Sequence, residues 1–209
     1  MHALRGASVN IAYNKLIVLK GRSGSGKTTM LNLLGALDIP TEGDVFFAGE
    51  NTRDMSEKEK VILRREKIGF IFQSFALVPF MSVYENIEFG LRIAGVPKEE
   101  WQEKVEYSLA FVGLSKRAKH RPSELSGGEQ QRCAIARAVA HRPPLVLADE
   151  PTAELDSLMA VRVMQGFKKL VEEEKTTVVM TTHDPSIMEL ADQVYELEDG
   201  IIVEKNAVL

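Results

Sequence analysis

Nine consecutive residues have the types and spacing needed to bind a phosphate chain: Gly21, Arg22, Ser23, Gly24, Ser25, Gly26, Lys27, Thr28 and Thr29. They fit the pattern G-x-x-x-x-G-K-[ST], between an apolar run at 16–19 that is typical of a buried strand and a helical pattern over 27–37. The glycines allow backbone N–H groups to turn toward an anion, and the helix start adds a partial positive charge. Lys27 is placed to reach the β- and γ-phosphates, and the Thr28 hydroxyl to bind Mg²⁺. The stretch therefore predicts a nucleoside triphosphate site.

Two acidic residues, Asp149 and Glu150, directly follow the apolar run Leu145-Val146-Leu147-Ala148. A carboxylate at the tip of a buried strand can bind Mg²⁺ through water, which is the role predicted for Asp149. Glu150 beside it is placed to polarise a water molecule for in-line attack on the γ-phosphate. Paired acids are common at strand ends, so it is their combination with the phosphate-binding stretch that predicts a hydrolytic site.

Composition limits the classes of protein to consider. The chain has 209 residues, of which 44% are hydrophobic and 27% charged, as expected for one globular domain. A net charge of −4 gives no clustered basic footprint, so no nucleic acid partner is expected. The single cysteine, Cys133, excludes an internal disulfide. No apolar run reaches the length of a membrane span, so we expect a cytoplasmic chain without direct membrane insertion, unless a partner holds it at a membrane.

Strand patterns recur along the chain and alternate with helical patterns, which favours an α/β fold with a mostly parallel sheet. The predicted strands are two short ones within 8–20, then 44–48, 68–72, 145–148, 177–181, 194–197 and 201–204.

Helical patterns dominate the middle of the chain. A charged helix over 56–66 is predicted to begin at Ser56 with Glu59 closing a capping box. The further predicted helices are 82–94, 98–112, 126–141, 157–174 and 185–191. Because the block 74–141 separates two sheet-forming parts, we expect a core of about 1–73 and 142–209 with this block as an inserted helical subdomain.

A third motif, Leu125-Ser126-Gly127-Gly128-Glu129, resembles the signature sequence of the ATP-binding cassette (ABC) ATPases. The phosphate loop, the signature and the acidic strand also occur in that family's order. A Ser-Gly-Gly helix start offers free N–H groups and a hydroxyl to an anion. The resemblance implies a P-loop NTPase of ABC type, with a mostly parallel core, a small antiparallel β part and an inserted helical subdomain. It also implies that Ser126, Gly127 and Gly128 bind the ATP of a second subunit in a head-to-tail dimer, most simply a homodimer.

The same resemblance extends to three further residues. Gln73 matches the glutamine that contacts Mg²⁺ and the attacking water, and His183 matches the histidine that contacts the γ-phosphate. Asp156, in the run Ala153-Glu154-Leu155-Asp156, matches the aspartate that crosses the dimer interface. The implied catalytic set is Lys27, Gln73, Glu150 and His183, and the implied metal set is Thr28, Gln73 and Asp149.

Within the family, the stretches 31–43 and 148–156 are similar to the lipoprotein-release and macrolide-export group. This similarity implies an ATPase that powers transport through separate membrane permease subunits, contacted near residues 74–95, from the cytoplasmic face of the membrane. Two alternatives stay open at this point. One is a soluble ABC ATPase with a non-transport role, and the other is a regulatory nucleotide-binding module with little turnover.

Overall fold

The computed structural model describes residues 3–207 and contains eight strands over that range. They are β1 (Leu16–Lys20), β2 (Phe46–Phe47), β3 (Glu50–Asn51), β4 (Ile68–Ile71), β5 (Leu145–Ala148), β6 (Thr177–Thr181), β7 (Gln193–Glu198) and β8 (Ile201–Ala207). Six of them form one sheet in the order β4-β5-β6-β1-β7-β8. All neighbours in this sheet are parallel except β7 and β8, and β2 pairs with β3 as a separate antiparallel hairpin.

Helices cover both faces of the large sheet. They are α1 (Lys27–Leu34), α2 (Glu57–Glu66), α3 (Val83–Ile93), α4 (Trp101–Phe111), α5 (Gly127–Val139), α6 (Ser157–Glu173) and α7 (Pro185–Met188), with 3₁₀ turns at Lys98–Glu100, Ser115–Arg117 and Pro122–Glu124. Because both faces are covered, the central strands are buried and read as continuous apolar runs rather than as alternating ones. Over the described residues, no helix is both long and apolar enough to cross a membrane.

Alternate residues of β1 serve two separate cores. Leu16 and Val18 belong to a cluster with residues of α3 to α6, such as Phe167. Ile17 and Leu19 face the other way, into a cluster with Met30 of α1. The sheet is therefore held between two helical layers, and the loops that follow β1, β4, β5 and β6 all leave from its carboxyl-terminal edge, where ligands of open α/β sheets bind.

Helices α3, α4 and α5 lie between β4 and β5 in the chain and pack on one another. Two of them begin with a complete capping box, Ser82 with Glu85 and Ser126 with Glu129. The predicted capping box of Ser56 and Glu59 at the start of α2 is also confirmed.

The prediction of two short strands within 8–20 is wrong for the first of them. Residues 8–12 form no strand, since the backbone N–H and C=O of Asn10 both bond to the hydroxyl of Tyr195, at 3.2 and 2.7 Å. A side chain of β7 thus satisfies backbone groups that a strand would have paired in a ladder.

Two helices are shorter than predicted. The helix after the phosphate loop ends at Leu34 rather than at residue 37, because Gly35 caps it and Ala36 takes a left-handed φ of +50°. The helix predicted over 185–191 ends at Met188.

Candidate active site

The phosphate loop runs from the end of β1 into α1, and two of its glycines cannot be replaced without a backbone clash. A Cβ at Gly21 would lie 2.3 Å from the carbonyl oxygen of Leu197, and one at Gly26 would lie 2.7 Å from the carbonyl oxygen of Ala3. Gly26 also has a φ of +105° and precedes α1 without a side-chain cap. The first N–H groups of α1 are therefore left free of side-chain caps, which suits them to bind an anion.

Lys27 places its ammonium group across this loop. The side chain is buried, and Nζ donates to the carbonyls of Gly21 at 2.7 Å and Arg22 at 3.0 Å. Of the other predicted loop residues, Arg22, Ser23, Gly24 and Thr28 are exposed, Thr29 is half-buried and Ser25 is buried. A positive charge held by carbonyls in the loop is positioned to meet a phosphate group.

Asp149 lies at the tip of β5 and connects two neighbouring elements. Its carboxylate accepts a hydrogen bond from the Thr28 hydroxyl at 2.9 Å and another from the Thr181 hydroxyl at 2.7 Å. A threonine hydroxyl beside a carboxylate provides the hard oxygen ligands that Mg²⁺ prefers, and Mg²⁺ in nucleotide sites takes its remaining ligands from phosphates and water. Thr28 and Asp149 therefore fit a magnesium ion that is bound together with a nucleotide.

Glu150, the next residue, has a left-handed backbone with a φ of +47°. Such a conformation is uncommon outside glycine and is concentrated at functional sites. Its N–H donates to Thr181 Oγ1 at 2.9 Å, and its carboxylate lies 3.4 Å from Nδ1 of the exposed His183. The structure therefore brings Glu150 and His183 together, as a potential base and its neighbour.

Thr181 is a residue of the site that the sequence reasoning missed. It ends β6, is fully buried, and bonds to both acidic residues that follow β5. The sequence carried no signal for this role, because it depends on the parallel pairing of β5 with β6. Neighbouring parallel strands end at the same edge of a sheet, so the hydroxyl at the end of β6 reaches the tip of β5.

Gln73 lies two residues after β4, at this same edge, and is exposed. The backbone N–H of Asp149 donates to the carbonyl of Ile71 at 2.8 Å, so the ends of β4 and β5 are held together.

The signature residues line a cavity at the place where α5 and α6 begin. The cavity is lined by residues that include Ser126, Gly127, Gly128, Glu154 and Asp156. None of its described lining residues belongs to the phosphate loop. Ser126 caps α5 by accepting from the N–H of Glu129, and Asp156 caps α6 by accepting from the N–H of Met159. The structure thus groups Asp156 with the signature motif and keeps both apart from the residues around Lys27.

Two glycines let the loop before α6 approach α5. A Cβ at Gly128 would lie 2.9 Å from the carbonyl oxygen of Glu154, and one at Gly127 would lie 3.4 Å from a carboxylate oxygen of the same residue. The Glu154 carboxylate therefore lies beside the N-terminus of α5, where the helix dipole attracts negative charge.

Two other features close to these motifs have structural roles. Lys20, just before the phosphate loop, forms an ion pair with Glu196 at 2.6 Å across the parallel pair β1 and β7. Cys133 is buried within α5, and burial raises the pKa of its thiol to about 12, so the thiol stays protonated and unreactive.

Comparisons with known proteins show the family to which the chain belongs. The family model of the ABC transporter matches residues 4–153. The uncharacterized ABC transporter ATP-binding protein MJ0796 of Methanocaldococcus jannaschii is 43% identical over 204 residues, which cover 96% of this chain and 87% of that protein. The lipoprotein-releasing system ATP-binding protein LolD of Aquifex aeolicus is 44% identical over 200 residues, covering 96% of this chain and 89% of that protein.

A relative with a longer chain is also similar. The macrolide export ATP-binding/permease protein MacB of Syntrophobacter fumaroxidans is 43% identical over 201 residues, covering 95% of this chain and 28% of that protein. Among solved structures, a dimeric, post-hydrolysis state of MJ0796 bound to ADP and Pi matches with a TM-score of 0.94 at 41% identity, covering 99% of this chain and 91% of that one.

These findings confirm the predicted family, the fold class with its small antiparallel part, and ATP as the bound nucleotide. They do not favour a non-transport ATPase or a regulatory module without turnover. The chain belongs to the ABC transporter family, as an ATP-binding subunit that hydrolyses ATP to power transport.

Proposed function

We propose that two copies of this chain bind two Mg·ATP complexes head to tail and hydrolyse them with Glu150 as the base, driving separate membrane permease subunits from the cytoplasmic face. One observation carries the proposal. Thr28, Asp149, Thr181 and Glu150 form one continuous set of hydrogen bonds at the edge of the sheet where α1 begins.

The residues around the phosphate loop have distinct tasks in this mechanism. Lys27 and the free N–H groups of α1 bind the β- and γ-phosphates. Thr28, Asp149 and Gln73 would hold the Mg²⁺ ion. When bound, Mg²⁺ supplies positive charge to the phosphate oxygens.

Glu150 performs the proton transfer. Its carboxylate takes a proton from a water molecule while the water oxygen bonds to the γ-phosphorus and the bond to ADP breaks. The hydrogen bond from the Glu150 N–H to Thr181 Oγ1 helps to hold the Glu150 backbone in its left-handed conformation. His183, 3.4 Å from that carboxylate, orients it and contacts the γ-phosphate.

The second copy supplies the signature residues. Ser126, Gly127 and Gly128 offer a helix N-terminus to an anion, yet they share their cavity with Asp156 rather than with the chain's own phosphate loop. A head-to-tail pair brings this cavity to the nucleotide of the other copy. The dimeric state of the relative MJ0796, which is bound to ADP and Pi, supports this arrangement.

The membrane partner is expected to bind near residues 74–95. Phe80 in this region is 70% exposed, so its ring is accessible to a partner. Leu77 is half-buried and packs on the main core, so Phe80 is the cleaner residue to probe. The names of the relatives LolD and MacB, one a lipoprotein-releasing system subunit and one an ATP-binding/permease protein, support a permease as the partner.

The catalytic role is tested with Glu150→Gln, which keeps the size of the side chain and removes the base. We expect it to bind ATP normally and to lose about 10²- to 10⁴-fold in kcat, the usual contribution of general base catalysis. Glu172→Gln, on the exposed end of α6, is the matched control and should retain full activity. Unchanged turnover in Glu150→Gln would exclude Glu150 as the base.

The docking site is tested with Phe80→Asp against Phe46→Asp, since Phe46 on β2 has a similar exposure of 64%. Each tagged variant is incubated with membranes of the native host, and the bound fraction is measured by sedimentation. Phe80→Asp should lose membrane association, and Phe46→Asp should keep it. Equal association of the two variants would move the docking site elsewhere.

A further inference from the structure

The segment after Gln73 is held in an unfavourable backbone conformation. Phe75 and Ala76 both have left-handed φ angles, +62° and +49°. For a bulky residue such as phenylalanine this conformation is an outlier, because the Cβ crowds the following carbonyl. Two such residues in succession persist only where surrounding contacts hold them.

Arg137 provides those contacts. It lies in the last turn of α5, and its guanidinium donates from Nη2 to the carbonyl of Phe75 at 3.0 Å and from Nη1 to the carbonyl of Ala76 at 2.6 Å. The Arg137 side chain is half-buried, and burial lowers the pKa of its guanidinium. Charge-assisted bonds from one rigid fork to two consecutive carbonyls fix the turn in position and in orientation.

Helix α3 contacts the same side chain. A Cβ at Gly90 would lie 2.9 Å from Cγ of Arg137, so the glycine allows α3 to approach α5 at this point. Asn86, one turn earlier in α3, bonds to the N–H and C=O of Val78 and to the carbonyl of Met81. The loop after Gln73 is thus hydrogen-bonded to α5 at Phe75 and Ala76, and to α3 at Val78 and Met81.

We propose that Arg137 is a positioning residue that sets Gln73 and the signature motif relative to each other. Only Ser74 separates Gln73 from the turn that Arg137 holds, and α5 carries Gly127 and Gly128 at its other end. A displacement of the loop on binding of the membrane subunit or of nucleotide therefore moves α5, and a displacement of α5 moves Gln73. The inference rests on the roles proposed above for Gln73 and the signature residues.

The experiment compares the steady-state ATPase kinetics of Arg137→Gln, Gln73→Ala and the double variant, with thermal unfolding to verify the fold. Because a misplaced catalytic group lowers turnover, Arg137→Gln should reduce kcat about 10- to 100-fold while KM for ATP, which is dominated by the phosphate loop, changes little. If Arg137 acts through Gln73, the double variant should be no slower than Gln73→Ala alone. A loss caused by Arg137→Gln that is as large in the Gln73→Ala background as in the wild type, or no loss at all, would overturn the inference.

Two further variants keep the test informative if Arg137→Gln folds poorly. Gly90→Ala keeps the arginine but places a methyl group against Cγ of its side chain. It should lower kcat in the wild-type background and not in the Gln73→Ala background. Ala76→Gly relieves the left-handed strain, since glycine adopts this φ freely, and should restore part of the kcat lost in Arg137→Gln. The absence of both effects would assign Arg137 to packing alone.

The Gln73→Ala variant separates this inference from the proposed function. If Gln73→Ala keeps full kcat, the role proposed for Gln73 is wrong whatever Arg137 does. If Gln73→Ala is impaired but the Arg137 effect adds to it, only the coupling through Arg137 fails.

Discussion

One methyl group at either signature glycine provides a sharp test of how tightly the loop before α6 packs on α5. Both glycines lie in the first turn of α5, where alanine is a better helix former by up to about 1 kcal/mol. A Cβ at Gly127 meets only the flexible end of the Glu154 side chain, at 3.4 Å. A Cβ at Gly128 meets the backbone carbonyl of Glu154 at 2.9 Å and a methyl group of Leu155 at 3.4 Å.

The free energy of unfolding should therefore respond in opposite directions. We expect Gly127→Ala to be neutral or to gain up to about 1 kcal/mol. Gly128→Ala receives the same helical gain but must displace backbone, and overpacking of this kind costs about 1–3 kcal/mol. In a chain of 209 residues, 1 kcal/mol corresponds to about 2–4 °C in Tm. The predicted gap between the two variants is thus about 2–12 °C.

The assay is thermal unfolding of both variants by circular dichroism or calorimetry, without nucleotide so that ligand binding does not contribute to Tm. Because the two positions are adjacent in one helical turn, differences in helix propensity largely cancel. A Gly128→Ala variant that unfolds at or above the temperature of Gly127→Ala would refute the close packing of the Glu154 carbonyl.

Three further predictions concern other parts of the chain. Gly26→Ala should unfold at a lower urea concentration than Gly24→Ala, because its Cβ lies 2.7 Å from the Ala3 carbonyl whereas Gly24 faces open space; equal midpoints would contradict this. Burial lowers the pKa of His141 from 6.5 to about 4, so the folded state binds this proton more weakly than the unfolded chain. The free energy of unfolding should include the full contribution of neutral His141 above about pH 6.5, and should fall by about 3 kcal/mol as the pH decreases to 4. His141→Gln should flatten this slope in pH-dependent denaturation. Glu154→Gln removes a carboxylate beside the start of α5. In sedimentation experiments with a non-hydrolysable ATP analogue, it should lower the dimer Kd about two- to fivefold. An unchanged dimer Kd would show that this charge does not compete with the phosphate.

Local chemistry explains what could be predicted from the sequence. The central strands are apolar runs because both faces of the sheet are covered, and such runs are recognisable without a structure. The helix starts at Ser56 and Ser126 were predictable because a capping box is formed within four consecutive residues. The phosphate loop is likewise formed by local sequence, since its glycines and Lys27 lie within nine consecutive residues.

What could not be predicted depends on residues far apart in the chain. The pairing of Asn10 with Tyr195, which replaces a predicted strand, spans 185 positions. Thr181 and Arg137 have no motif of their own, and their roles follow from which strand end and which loop they face. The Glu154 carboxylate beside Gly127 is of the same kind, because only the approach of the loop before α6 to the start of α5 brings it there.

The position of β1 in the sheet has a consequence for synthesis of the protein. The two neighbours of β1 in the sheet, β6 and β7, come much later in the chain and end at Thr181 and Glu198. At a synthesis rate of about 5–20 residues per second, roughly 8–32 s pass between synthesis of β1 and completion of β6, the first strand that can pair with it. Pairing over such a sequence distance also makes folding slow. The sheet around the phosphate loop can therefore be completed only after the residues up to Glu198 have been synthesised, and until then at least one edge of β1 stays unpaired.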